Sequence, residues 1–241
     1  MGKRLRGIII VWELFLNDDE LRYFKQYREL FGNEIFLSLE KKSSNKNNQE
    51  KREILKNRSS DLASYNNEIK NCLKCELGST RNNFVFGVGD FNASLILVGE
   101  APGAQEDLRG EPFVGRAGKL LDQMLSAINR SREKDVFICN VLKCRPPDNR
   151  DPSKNEIEKC EPYLVNQIDL IQPKLIVALG RVAGKTLLSV DKSLKDMRNT
   201  IHNYHGTDLI VTYHPAALLR NSNWKPDAWK DFKWIRSLID K

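Results

Sequence analysis

SLILVGEAPG, residues 94–103, sets four apolar side chains, Leu95 to Val98, between Asn92, Ala93 and Ser94 on one side and Gly99 on the other. A short apolar run bounded by turn residues predicts a buried strand. At its carboxyl end the chain turns through Gly99, Glu100, Ala101, Pro102 and Gly103, where glycine admits conformations other residues avoid and proline fixes one dihedral. A carboxylate, Glu100, is thus held just beyond a strand end, where open α/β sheets bind their ligands. Turns of this composition also join strand to helix for structural reasons alone, so the rest of the chain has to decide.

Outward from this stretch, apolar runs alternate with amphipathic segments. Ala117, Leu120, Leu121, Met124, Leu125 and Ile128 share one helical face. Val136 to Val141 reads as a second strand, followed by the turn-rich RPPDNRDPS. Ser153 and Glu156 form a capping box for the next helix, which Pro162 is expected to kink or restart. Leu175 to Leu179 is a third strand closed by Gly180, a helix follows over Arg181 to Leu188, and Leu209 to Thr212 is a fourth strand. A last helix carries Trp229, Phe232, Trp234 and Ile235. Strands alternating with helices predict an α/β domain over residues 61–241, with a mostly parallel sheet covered on both faces.

The first sixty residues read differently. Leu21, Phe24, Tyr27 and Leu30 recur at helical spacing, which suggests a small N-terminal extension over residues 1–40 of no readable role. Lys, Asn, Ser and Glu dominate the next twenty, a polar linker over residues 41–60. Lys3, Arg4 and Arg6 before Ile8, Ile9 and Ile10 imitate a signal peptide, but Glu13 interrupts the run and no small-residue cleavage site follows. No stretch approaches the roughly 20 apolar residues that span a bilayer, so a cytoplasmic protein with no membrane partner is expected. The 241 residues carry 39 Lys and Arg against 32 Asp and Glu, a formal charge of +7. That excess suits a polyanionic partner such as nucleic acid, although solubility alone also accounts for it.

Three polar residues fall at equivalent places. Glu100 follows the first strand, Asn140 lies at the end of the second and His214 follows the fourth, so the strand-end rule gathers them on one rim. A carboxylate, a carboxamide and an imidazole in one crevice can read and react with a small planar polar molecule. Phe113, in the loop from Gly110 to Gly115, adds a stacking surface. HPAALLR, from His214 to Arg220, opens a short helix at Pro215, with Leu218, Leu219 and Arg220 expected to project from the rim like the wedge some proteins push into a duplex. Of the five cysteines, Cys72 and Cys75 form a C-x2-C knuckle and Cys144 and Cys160 a C-x15-C pair. Four thiolates from two segments suit either tetrahedral zinc or an iron-sulfur cluster, and Cys139, inside an apolar strand, reads as a buried structural residue.

GEAPGAQEDLRGEPFVGRAG, NVLKCRPPDNRDP, Cys160 followed by EPYL, and HPAALLR together resemble the family 4 uracil-DNA glycosylases, over roughly Asp61 to Lys241. The resemblance implies a central four-stranded parallel sheet in a three-layer α/β/α arrangement. It also implies a 4Fe-4S cluster held by Cys72, Cys75, Cys144 and Cys160, structural rather than redox-active. Asn140 would accept from uracil N3–H and donate to O4, a pairing that cytosine reverses. His214 would donate to O2 as negative charge builds there, and Glu100 would stabilise the cation-like sugar and orient water. Phe113 would stack on the flipped base, with Gly99 and Ala101 lining the pocket. Better-known branches of the superfamily carry Asp where this chain has Ala101, and Glu106 is a second candidate for holding water or excluding a thymine methyl. Leu218, Leu219 and Arg220 would fill the gap left by the extruded base.

The expected activity is monofunctional removal of uracil from single- or double-stranded DNA by a monomer, since no Schiff-base lysine stands in these motifs. Two alternatives are a relative with altered deaminated-base preference and a noncatalytic iron-sulfur DNA-binding module.

Overall fold

The computed structural model describes residues 61–240; the expected extension over 1–40 and linker over 41–60 lie outside the described residues. The apolar run at Leu95 becomes β2 (Leu95–Gly99), buried along its whole length. The other strands are β1 (Val88–Gly89), β3 (Val136–Asn140), β4 (Leu175–Leu179), β5 (His202–Tyr204) and β6 (Thr207–Thr212). They form one mixed sheet of six strands in the order β1-β3-β2-β4-β6-β5, which adds two edge strands to the expected central four. β3, β2, β4 and β6 pair in parallel, while β1 and β5 add short antiparallel edges. β5 has no apolar run to announce it, and β1 is only the end of the stretch FVFGVG over 84–89. β1 has two residues, and β5 is the polar HNY, held by a hairpin turn in which His205 and Gly206 both take positive φ.

The chain crosses from β2 to β3 on one side, then back past β2 to β4 on the other. Strand order therefore reverses at β2, which places the ligand crevice at its carboxyl end. Alternation along the strands feeds two cores. Leu95, Leu97, Val136, Ile138, Val177 and Ile210 face α2 (Arg116–Ala127), α6 (Pro215–Arg220) and α7 (Lys225–Ile239). Ile96, Val98, Phe137, Cys139, Ile176 and Val211 face α3 (Lys154–Ile171), α4 (Arg181–Leu188) and α5 (Leu194–Met197). Each such apolar side chain taken fully out of water contributes about 1.5–3 kcal/mol, so both faces of the sheet are held firmly.

The expected capping box starts α3: Ser153 Oγ accepts from Glu156 N–H and the Glu156 carboxylate accepts from Ser153 N–H. Pro162 does not restart this helix, which runs unbroken from Lys154 to Ile171. Its apolar stripe of Cys160, Tyr163, Leu164, Ile168 and Ile171 is buried against the sheet, and that packing outweighs the hydrogen bond proline removes. α1 (Ala104–Arg109) follows the turn after β2. Among the described residues no helix is long and apolar enough to cross a membrane.

Candidate active site and cysteine cluster

β2 and β3 stay in register to their last residues, so Gly99 lies opposite Asn140 at the carboxyl edge. The pairing continues beyond the strands, with Val141 N–H donating to Gly99 O at 2.9 Å and Leu142 N–H to Glu100 O at 3.0 Å. Asn140 is 2% exposed, a polar side chain buried at the head of the crevice. Gly99 is required there because a Cβ would collide with Asn140 Oδ1 and lie 2.9 and 3.0 Å from ring atoms of Phe113. The missing side chain is thus where a carboxamide and an aromatic face converge. Ala101 packs at the edge of the core on the α3 side.

His214 follows β6 and caps α6. Its Nδ1 accepts from Ala216 N–H at 3.1 Å, which leaves the ring proton of the neutral form on Nε2. Burial, and then the nearby Arg220 cation, lower its pKa to about 4 despite the opposing charge of Glu106. The ring is therefore an uncharged donor at neutral pH. It lies 5.5 Å from the Phe113 ring, tilted 32°. Between His214 and the β2 edge, β4 is followed by Gly180, whose missing side chain leaves room: a Cβ would come within 2.9 Å of His214 Cβ.

Glu100 faces other groups. Burial first, and then the charge of Asp151, raise its pKa to about 7, with Arg181 at the start of α4 pulling the other way. A carboxyl poised near neutrality at a strand end can serve as base or charge stabiliser. Glu106 is bonded to its own chain: Oε1 accepts from Val114 N–H at 3.1 Å and from Gly115 N–H at 3.3 Å. These bonds clamp the loop that holds Phe113 at φ 54°, a conformation costly for a bulky residue. Arg132 grips the same loop, donating to Pro112 O and Phe113 O at 3.3 Å each while paired with Asp122.

The HPAALLR helix departs from expectation at one residue. Leu218 is 1% exposed and belongs to the core on the α2 side, so it does not project from the rim. With only six residues, α6 has to turn one leucine inward to anchor itself. Leu219, 48% exposed, and the exposed Arg220 are the residues that reach outward.

None of the five cysteines is in a disulfide. Sulfur of Cys72 accepts from Tyr163 O–H at 3.1 Å and Lys74 N–H at 3.4 Å, that of Cys144 from Arg81 Nη1 at 3.4 Å, and that of Cys160 from Lys143 N–H at 3.3 Å. Burial raises the Cys144 thiol pKa; Arg81 opposes this, and Cys75 and Cys72 add to it, which marks the thiols as neighbours. Lys143 is 0% exposed, and its Nζ donates to Asn140 O at 2.8 Å and to Gln167 Oε1 at 2.6 Å. The acidic side chains that act on it are the thiols of Cys139, Cys160 and Cys144. Burial lowers the Lys143 pKa while those thiols oppose it, so anionic sulfurs beside this amine would favour its charged form. Among the described residues, no group of three or more His, Cys, Asp or Glu stands in metal-holding geometry. The donor chemistry of Cys72, Cys75, Cys144 and Cys160 fits a tetrathiolate site and does not choose between zinc and iron. Cys139 is fully buried in β3, facing the α3 side of the sheet.

Arg132, Gln167 and Arg181 support this site with no local pattern to announce them, while Lys143 and Asp151 stand inside the NVLKCRPPDNRDP motif, which does not single them out. The family model described as the Uracil DNA glycosylase superfamily matches residues 86–234. The chain is 45% identical over 182 residues to the type-4 uracil-DNA glycosylase of Archaeoglobus fulgidus, covering 72% of this chain and 91% of the relative. It is 46% identical over 185 residues to that of Sulfurisphaera tokodaii, covering 73% and 84%, and 44% identical over 177 residues to that of Thermotoga maritima, covering 72% and 92%. With the strand order reversing at β2 and kinship over most of its length, this chain belongs to the type-4 uracil-DNA glycosylases.

Proposed function

We propose that this chain hydrolyses the bond between uracil N1 and the deoxyribose C1′ in DNA, releasing uracil and leaving an abasic site. The observation that carries the reading is the buried Asn140 carboxamide, with the Phe113 ring against Gly99 and an uncharged His214 beside that ring. Asn140 Oδ1 accepts from uracil N3–H and its amide donates to O4. Cytosine has an acceptor at N3 and a donor at C4, so both groups would stay unpaired, at about 1–3 kcal/mol each. Phe113 stacks on the extruded base.

As the C1′–N1 bond breaks, its electron pair leaves with uracil and charge gathers on O2. His214 Nε2–H donates to that oxygen without first having to lose a charge. The ionised Glu100 stabilises the cation-like sugar and orients the water that adds to C1′; the water's proton passes to Glu100 and on to solvent. Glu106 holds the Phe113 loop through its two backbone bonds and faces His214 with its charge. Lys143 is committed to Asn140 O and Gln167, which supports simple hydrolysis over Schiff-base lyase chemistry. Leu219 and Arg220 fill the gap left by the extruded nucleotide, and the positive charge of the chain holds phosphates.

Cys72, Cys75, Cys144 and Cys160 would hold a 4Fe-4S cluster, which supplies a structural tie between the knuckle and the segment following β3. Iron and acid-labile sulfide in stoichiometric amounts would support this, and zinc in their place would overturn it. The protein acts as a monomer on this reading. The reaction is tested with oligonucleotides carrying one uracil, cytosine or thymine, treated with alkali to reveal abasic sites. Cleavage at uracil alone is expected. Asn140→Ala should lose excision at least 100-fold while retaining DNA affinity, and excision at the parent rate would remove Asn140 from base recognition.

A further inference from the structure

Trp224 lies four residues beyond Arg220, at the end of the short turn Ser222–Trp224, and is 40% exposed. It is not loosely held. Its indole stacks on Tyr213, with ring centroids 5.5 Å apart and planes 21° apart. Tyr213 is itself pinned, since Arg198 Nη1 donates to its hydroxyl at 2.9 Å and the guanidinium lies 4.2 Å from its ring centroid. Arg198 in turn makes a two-pronged pair with Asp231, both bonds 2.9 Å, and both residues are buried. Asp231 also accepts from Thr212 Oγ1 at 2.6 Å. A tyrosine and the buried Arg198–Asp231 ion pair thus stand beneath one exposed indole. Tyr213 immediately precedes His214, so this column stands beside the site.

We propose that Trp224 is a nucleobase-stacking subsite, taking the unpaired base of a nucleotide that flanks the extruded uridine in single-stranded DNA. The inference rests on the proposed uracil excision. An indole already fixed in orientation loses little freedom when a base settles on it, and any of the bases offers it a π face. In a duplex those faces are covered by neighbouring pairs, so the subsite favours single strands. Arg220 and Lys225 flank the indole in sequence with the positive charge a phosphate chain needs. The acidic residues nearby are already paired, Asp231 with Arg198 and Asp227 with Lys230.

The test uses the full-length, cluster-loaded protein with Trp224→Ala and Trp224→Phe, on single-stranded oligonucleotides carrying one uracil. A second series replaces each of the three nucleotides on either side by an abasic spacer. Trp224→Ala should raise KM about 5- to 150-fold with little change in kcat, and Trp224→Phe should keep most of the parent affinity. One spacer position should raise the parent KM by a similar factor and add nothing in Trp224→Ala. An unchanged KM, a loss confined to kcat, or losses that add at every spacer position would overturn the subsite; the second would mean that Trp224 only props Tyr213. If the parent excises no uracil, the reading of the reaction fails instead, and fluorescence anisotropy with a uracil-free single strand still decides whether Trp224→Ala binds more weakly.

Discussion

Glu100 and His214 predict an unusual pH profile. Burial and Asp151 put the Glu100 carboxyl at about 7, while burial and Arg220 put His214 at about 4. Between pH 5.5 and 8.5 the imidazole therefore stays neutral and only the carboxyl changes charge. The sign follows from the role: the ionised carboxylate is the form that faces the developing sugar cation, so activity is present above pH 7 and lost below it. A group titrating at about 7 is roughly 3% ionised at pH 5.5 and nearly all ionised at pH 8.5, so kcat/KM should fall about 30-fold over that range. Glu100→Gln mimics the protonated carboxyl. It should abolish this limb, lose about 10²–10⁴-fold at pH 8.5, and approach the parent rate as pH falls. Asp151→Asn should move the limb to lower pH, because it removes a charge that raises the Glu100 pKa. Single-turnover excision at saturating enzyme isolates the chemical step. A limb that survives in Glu100→Gln, or a flat parent profile, would refute the assignment.

Two further outcomes follow from packing. Gly99→Ala would drive a methyl into Asn140 Oδ1 and the Phe113 ring; with overpacking costs of about 1–3 kcal/mol, uracil excision should fall about 5- to 150-fold while DNA affinity measured by anisotropy holds. Lys143→Met leaves Gln167 Oε1 and Asn140 O without their donor, and urea denaturation should show a loss of about 1–3 kcal/mol.

Most of the architecture was legible because its signals are local. SLILV, the run from Val136 and the run from Leu175 are apolar and bounded by turn residues, and each is a fully buried strand. The capping box at Ser153 and Glu156 is complete within one helical turn. The edge strands were not legible, because two residues at Val88 and the polar HNY acquire strand character only by pairing with a neighbour. Pro162 does not restart its helix for a related reason: its cost is local, whereas the packing that outweighs it comes from the sheet.

By itself the sequence determined which side chains end the parallel strands, because strand and turn signals place Glu100, Asn140 and His214 at equivalent positions and the motifs around them identify the family. Tertiary structure alone decided the state in which those side chains are held. The raised Glu100 carboxyl depends on burial and on Asp151, some fifty residues away in the chain. The neutral His214 depends first on burial and then on the Arg220 charge, and the α6 backbone at Nδ1 sets its tautomer. The inward turn of Leu218, the clamp of Glu106 and Arg132 on Phe113, and the burial of Lys143 among thiols all join residues of different elements or choose one face of a short helix. Those relations are set by how the layers pack, and periodicity along the chain carries no record of them.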